Sequence, residues 1–388
     1  MKKKQVYENP LRFLKRKTNG EFFEDTIVKQ WYLARNYVKD VIQIEKYVFK
    51  PEDDDFLHII ADGDAPCQLF VVRQIALLAH FLNYNENNPI ESHRHRTVIS
   101  LFSSNKNIKN VLEQEEYLYN LTKYCKYSEV DSKTKNPGSY VDIEVNVVND
   151  ESQIEVFSQN TIYVKKTEVE DYFEQNKDKK DLCLIETSAA YYAGKVYDIG
   201  AAYTNIPAED IHCVERYTLA LSIFQNDVLK LENEKEFNDG KYQKAQTGEF
   251  SLGEIKKSIS NVLCADCFKI RQKSIEKVVG KENVSQKEWA KYNEPLSKSE
   301  HARWIVEKLI LGYRPLSREE HFQLESLHVE FKNTDKKKAY LDNLKNNDKD
   351  PAHIDLCSYA ELRRIKPEDL KYDSFLMLAI PSILNKVK

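Results

Sequence analysis

Phe56-Leu57-His58-Ile59-Ile60-Ala61, followed by Asp62-Gly63-Asp64, is the stretch on which the fold turns. A short apolar run rich in branched side chains, stopped by an Asp-Gly turn, reads as a buried strand. Residues 67–83 come next and carry Leu69, Val71, Val72, Ile75, Ala76, Leu78, Ala79 and Phe81, which predicts a deeply buried helix. Residues 96–102 (RTVISLF) then read as a second strand. Strand, turn, helix, strand is the pattern of a parallel pair joined by a helical crossover.

Outward from this unit the alternation continues. Residues 108–124 are helical in pattern, 140–148 (YVDIEVNVV) form a strand, 169–175 a short helix, and 182–186 (LCLIE) a fourth strand. Upstream, residues 11–48 place Trp31, Tyr37, Val38 and Ile42 at helical spacing, and downstream 209–224 suits one more helix. The reading is an α/β fold: a Rossmann-like, mostly parallel sheet with helices on both faces, followed by a smaller, mainly helical region. The polar stretch 226–247, with Asn238-Asp239-Gly240, reads as a linker. The expected organisation is therefore a helical segment over 1–50, the Rossmann-like domain over 51–245 and a helical domain over 250–388. A chain of 388 residues suits that division.

Composition narrows the function classes. The 58 basic and 62 acidic residues give a net charge of −4 and are interspersed, so the footprint of a nucleic-acid binder is missing. No apolar run approaches bilayer length and the basic start has no apolar segment behind it, which predicts a cytoplasmic protein without a membrane partner. Seven irregularly spaced cysteines fit a reducing compartment. Cys264-Ala265-Asp266-Cys267 has half-zinc-site spacing but no second pair at matching distance, and Leu263, Phe268 and Ile270 around it suggest packing, so no metal site is expected.

In a Rossmann-like sheet, ligand-contacting loops lie at the carboxyl ends of the strands. That selects Asp62, Gly63, Asp64 and Gln68 after the first strand, Ser103 and Ser104 after the second, and Thr187 and Ser188 after 182–186. The first loop has one glycine where the dinucleotide fingerprint wants three, and its aspartates would repel a pyrophosphate; Asp62 suits a ribose hydroxyl instead. Each loop also reads as an ordinary polar turn. Tyr191, Tyr192, Tyr197 and Tyr203 read either as a ligand wall or as cover for the sheet edge. No Gly-x-Ser-x-Gly, P-loop or His-Glu-x-x-His template occurs, so no catalytic residue is assigned.

A second informative stretch is Leu296-Ser297-Lys298-Ser299-Glu300-His301-Ala302-Arg303-Trp304, running on to Leu311-Gly312-Tyr313-Arg314-Pro315. Pro295, a Ser297/Glu300 capping box and Gly312 predict a helix that begins near Ser297 and stops at Gly312. Arg303 and Arg314 can bind phosphate in two-pronged fashion, Trp304 and Tyr313 offer ring faces, and His301 can switch charge; the alternative is that Trp304 is core and Glu300–Arg303 a local pair. The lysine-rich stretches 335–338 and 343–349 read as surface loop.

Glu-His-x-Arg-Trp followed by Leu-Gly-Tyr-Arg resembles the RyR domain, the small helical module of ryanodine receptors that also occurs in bacterial proteins. His353-Ile354-Asp355-Leu356-Cys357-Ser358-Tyr359-Ala360-Glu361-Leu362, then Tyr372-Asp373, is similar to the family's closing segment. The likeness spans about residues 255–385, with Tyr313 where the family usually has Trp and a lysine-rich insertion at 332–349. It implies a ligand-binding role for Glu300, His301, Arg303, Trp304, Tyr313 and Arg314, and a place in nucleotide-linked sensing, including defence against phage. The expected protein is a cytoplasmic sensor for a nucleotide-type small molecule that requires no cofactor. The alternatives are a scaffold that docks a protein partner beside a vestigial cleft, and an enzyme acting on a nucleotide or nucleotide sugar through Asp62, Asp64 and Glu186.

Overall fold

Leu57, Ile59 and Ala61 lie on one face of a strand and are sealed from solvent, and Ile99, Leu101, Ile143 and Val145 on two further strands extend that face into the sheet core. The computed structural model describes residues 26–90, 94–103, 116–125, 141–148, 154, 158–178, 189–190, 192–196, 221–228, 260–331, 334–347 and 350–387. In chain order the strands are β1 (Leu57–Asp62), β2 (Thr97–Phe102), β3 (Ile143–Val148) and β4 (Asn160–Val164). The helices are α1 (Thr26–Tyr37), α2 (Pro66–Leu78), α3 (Glu116–Cys125), α4 (Lys166–Asn176), α5 (Phe268–Val279), α6 (Gln286–Ala290), α7 (Asn293–Ile310), α8 (Arg318–Phe331), α9 (Thr334–Lys345), α10 (Tyr359–Ile365) and α11 (Leu370–Val387).

Among the described residues the sheet is wholly parallel, in the order β3-β2-β1-β4. The fold is thus α/β and Rossmann-like, with a mainly helical C-terminal region. β4 is a strand that the sequence reading passes over: Asn160-Thr161-Ile162-Tyr163-Val164 is only five residues long and its burial does not alternate cleanly. Residues 182–186, read as the fourth strand, lie outside the described residues.

The face bearing Leu57, Ile59, Ala61, Ile99, Leu101, Ile143 and Val145 meets the helical layer. The opposite face is mixed: Ile60 and Val148 are buried on it beside His58, which is bonded to Ser100 at 2.9 Å, while Asn146 bonds Glu144 at 2.9 Å and Tyr163 is 58% exposed. α2 is buried from Gln68 through Leu78, all the way round, because sheet, α1 and α7 surround it.

α7 carries apolar groups on two sides. Ile305, Val306, Leu309 and Ile310 join the sheet's core, and Leu296 joins a second core with Phe375, Leu378 and Ile380 of α11. One hydrophobic core therefore runs across the expected 51–245/250–388 division, and the helical region is built onto the sheet. α7 also begins earlier than the sequence predicts. Pro295 sits inside its first turn, where proline is tolerated, and Ser297 bonds back to the carbonyl of Asn293 at 2.7 Å, so Ser297 and Glu300 form no capping box. The capping box stands at Ser285 and Glu288, opening α6. Gly312 does end the helix, with φ 86°. The 335–338 stretch, expected as surface loop, lies within α9, as does the start of 343–349, and α9 pairs with α8 in a hairpin.

Candidate functional site

Two groups of residues singled out by the sequence occupy different places. The first is the carboxyl edge of the sheet. Because the order reverses at β1, the β1–β4 boundary is the topological switch point, where a crevice opens in doubly wound folds. Gly63 has φ 98°, and its N–H donates to the Phe102 carbonyl at 2.7 Å, so the loop folds over the end of β2. A Cβ on Gly63 would lie 3.0 Å from Lys166 Cδ, and glycine therefore lets that lysine stem lie against the loop. Gln68 is fully buried; its Nε2 donates to the Val164 carbonyl at 2.6 Å, tying α2 to the end of β4, and among the described residues its Oε1 accepts no hydrogen bond. Ser103 is also buried, its N–H donating to the Val148 carbonyl at 3.1 Å. Asp62 is exposed and Asp64 half-buried. Pro66 opens α2, Ala65 precedes it without a side-chain cap, and the first turn holds no acid, so the helix end presents amide donors to the loop. Ser104, Thr187, Ser188 and Glu186 lie outside the described residues, as do Tyr191, Tyr197 and Tyr203. Tyr192 is buried against Phe224.

The second group is on α7. Arg303 is completely buried. Its Nε donates to Glu300 Oε1 at 2.7 Å and its Nη1 to Glu307 Oε2 at 2.8 Å, while Ser260 Oγ donates to the same Glu307 oxygen at 3.0 Å. Burial favours a neutral guanidinium, but Glu300 and Glu307 outweigh it and hold the charge firmly. Burial pushes the Glu307 carboxyl up, yet Lys308 and Arg303 bring it down to about 2. Across from Glu300, Arg271 Nη2 stands 3.9 Å away and Arg271 Nη1 donates to the His80 carbonyl at 2.5 Å. His80 Nδ1 is 2.7 Å from Asp142 Oδ1. Glu300 and Arg303 are thus a dry polar tie between α5, α7 and the sheet region, which corrects their expected role as ligand contacts.

Arg314 is likewise committed. Nη1 and Nη2 bond the two oxygens of Glu320 at 2.7 and 2.8 Å, and Nε bonds Asp350 at 2.7 Å. Its backbone carbonyl accepts from His353 and its N–H donates to Pro351, both at 2.9 Å, which docks the second motif segment on the first. The two segments meet in an aromatic cluster. His301 stacks on Trp304 with centroids 6.2 Å apart and planes 12° apart, and donates through Nε2 to the Cys357 carbonyl at 2.9 Å. His353 stands edge-on to Trp304 at 5.1 Å and to Tyr313 at 6.0 Å. Burial pushes the His301 imidazole below its ordinary range, which disfavours its charged form. Trp304 is half-buried rather than core, and Lys308 Nζ lies 5.2 Å over its ring. Lys308 and His353 were not among the expected contacts; the i, i+4 spacing of Trp304 and Lys308 was the available signal for one of them.

Cys264 and Cys267 are buried, and desolvation raises both thiols, Cys267 to about 12. They pack as structural residues. Among the described residues no group of three or more His, Cys, Asp or Glu is arranged to hold a metal.

No protein-family model, no curated protein and no solved structure matches this chain.

Proposed function

We propose that this chain is a cytoplasmic sensor that binds a nucleotide-type small molecule at the carboxyl edge of its sheet and relays occupancy through α2 to α7. The observation that carries the reading is the β1–β4 switch point, where a glycine at φ 98°, an α2 N-terminus without a side-chain cap and an exposed Asp62 converge. The α2 amides and Lys166 take the phosphate and Asp62 a sugar hydroxyl. Arg303 and Arg314 play no part, because Arg303 is sealed from solvent and Arg314 is held by Glu320 and Asp350. The RyR-like segments add an association with nucleotide-linked signalling and phage defence. No described helix is long and apolar enough to cross a membrane.

The test is thermal unfolding against mono-, di- and cyclic nucleotides, NAD and ADP-ribose. A ligand at a hundred times its Kd adds about 2.7 kcal/mol to the folded state. A shift with one compound class, lost in Gly63→Val, supports the reading; no shift with any compound rejects it, and turnover of the bound compound converts it to an enzyme. A stoichiometric co-purifying protein without a small molecule is the signature of the scaffold alternative.

A further inference from the structure

Pro381 lies inside α11. Proline has no N–H to give to the carbonyl four residues back, so the hydrogen-bond ladder of α11 is open at Met377, and the proline ring crowds that same carbonyl. Met377 is fully buried, where water cannot make up the loss.

The missing donor comes from another helix. Trp289 of α6, only 2% exposed, donates its indole N–H to the Met377 carbonyl at 2.7 Å. One residue on, the Leu378 carbonyl accepts from Gln286 Nε2 at 2.9 Å. Both donors stand on a helix of five residues whose start is fixed by the Ser285/Glu288 capping box. A helix that short has little stability of its own, so the seating of α6 and the open ladder of α11 depend on each other.

The two parts of α11 are also held by different neighbours. Before the proline, Ser374 Oγ accepts from Asn293 Nδ2 at 3.2 Å and lies 3.3 Å from Ser297 Oγ, both on α7. Beyond it, Ser382 Oγ accepts from Gln225 Nε2 at 2.7 Å, and Ile383 packs into the second core. A helix that lacks a ladder bond between two separately anchored parts bends most easily there.

We propose that Pro381 is a hinge in α11 and α6 its latch. While Trp289 holds the Met377 carbonyl, Pro381–Val387 stays in line with the rest of the helix. When that bond opens, Pro381–Val387 swings as a unit and Leu370–Ile380 remains on α7.

Hydrogen exchange of the full chain, read peptide by peptide by mass spectrometry, tests this. Trp289→Phe keeps an aromatic ring and removes the N–H. It is expected to speed exchange of the 382–387 amides about tenfold, the worth of one buried hydrogen bond, and to leave 371–377 unchanged. Pro381→Ala restores the ladder donor, so in that background Trp289→Phe is expected to leave 382–387 as it was. Gln286→Met, at a partly buried position, is expected to act in the same direction as Trp289→Phe and decides the matter in both backgrounds if the tryptophan variant does not fold. Faster exchange over the whole of α11, no change at 382–387, or equal acceleration with and without Pro381 refutes the hinge.

Discussion

Arg303 Nη1 and Glu307 Oε2 lie 2.8 Å apart, one turn of α7 from each other, with both side chains at most 1% exposed. An ion pair this dry is bound to its partners whichever ligand is present. It fixes α7 against the 260–266 helical turn through Ser260, and through Glu300 and Arg271 it reaches the His80 carbonyl beyond α2. A motif arginine that resembles a ligand contact is thereby a structural tie.

Arg303→Ala is expected to cost about 3–5 kcal/mol, because two buried carboxylates lose their counter-charge. Urea denaturation measures it. A cost below about 1 kcal/mol would mean that water reaches the pair and that Arg303 is available after all.

Acid should destabilise the protein early. His353 stays neutral in the fold down to about 2, whereas in the unfolded chain it titrates near 6.5. Its contribution is complete above about pH 6.5 and is lost as pH falls below that, at about 1.4 kcal/mol per pH unit. His353→Phe should flatten the stability profile between roughly pH 6 and pH 4 by that slope, read from denaturation midpoints. An unchanged profile would place solvent at the ring.

Asp373 behaves in the opposite sense. Burial, with Glu300 nearby, raises its carboxyl well above the ordinary range, and it faces His301 Nδ1 at 3.8 Å. The unfolded chain releases this proton near 3.9, so keeping it in the fold costs stability that grows with pH up to the folded pKa and stays constant above it. Asp373→Asn is expected to raise the Tm near pH 7, the gain vanishing below about pH 4. A lower Tm at neutral pH would show that the charged form is the one the fold uses.

Gly63→Ala should lose about 1–2 kcal/mol from a strained φ, with a further contribution from contact with Lys166. Thermal melts of Gly63→Ala and of Gly63→Ala with Lys166→Ala separate the two: the double variant recovers only the contact part.

Thiol labelling followed by peptide mapping should find Cys67 modified before Cys264 and Cys267, which react only on unfolding, since Cys67 is half-exposed and the other two are buried. Early labelling at Cys264 would mean that α5 and α7 part readily.

Much of the sheet was legible. β1, β2 and β3 fall within two or three residues of their expected ends, because branched apolar runs between turns carry a local signal. β4 was not, since a five-residue strand with mixed burial looks like loop until β1 is found beside it. Of the candidate residues, Asp62 and Gly63 stand at the strand end where a parallel sheet must put them. Arg303 could not be placed, because Glu300 and Glu307 at i−3 and i+4 pair with it equally well on a wet surface and in a dry core.

By itself the sequence determined that strands alternate with helices, that the first loop opens at the sheet's carboxyl edge and that α7 stops at Gly312: all are consequences of short-range periodicity and backbone sterics. Tertiary structure alone decided that α7 lies against α2 and α3, burying Arg303, and that His353 reaches Trp304 and Tyr313 from forty to fifty residues along the chain. Burial and partner choice depend on which surfaces pack together, and that packing is set by the whole chain's exclusion of water, which no local pattern encodes.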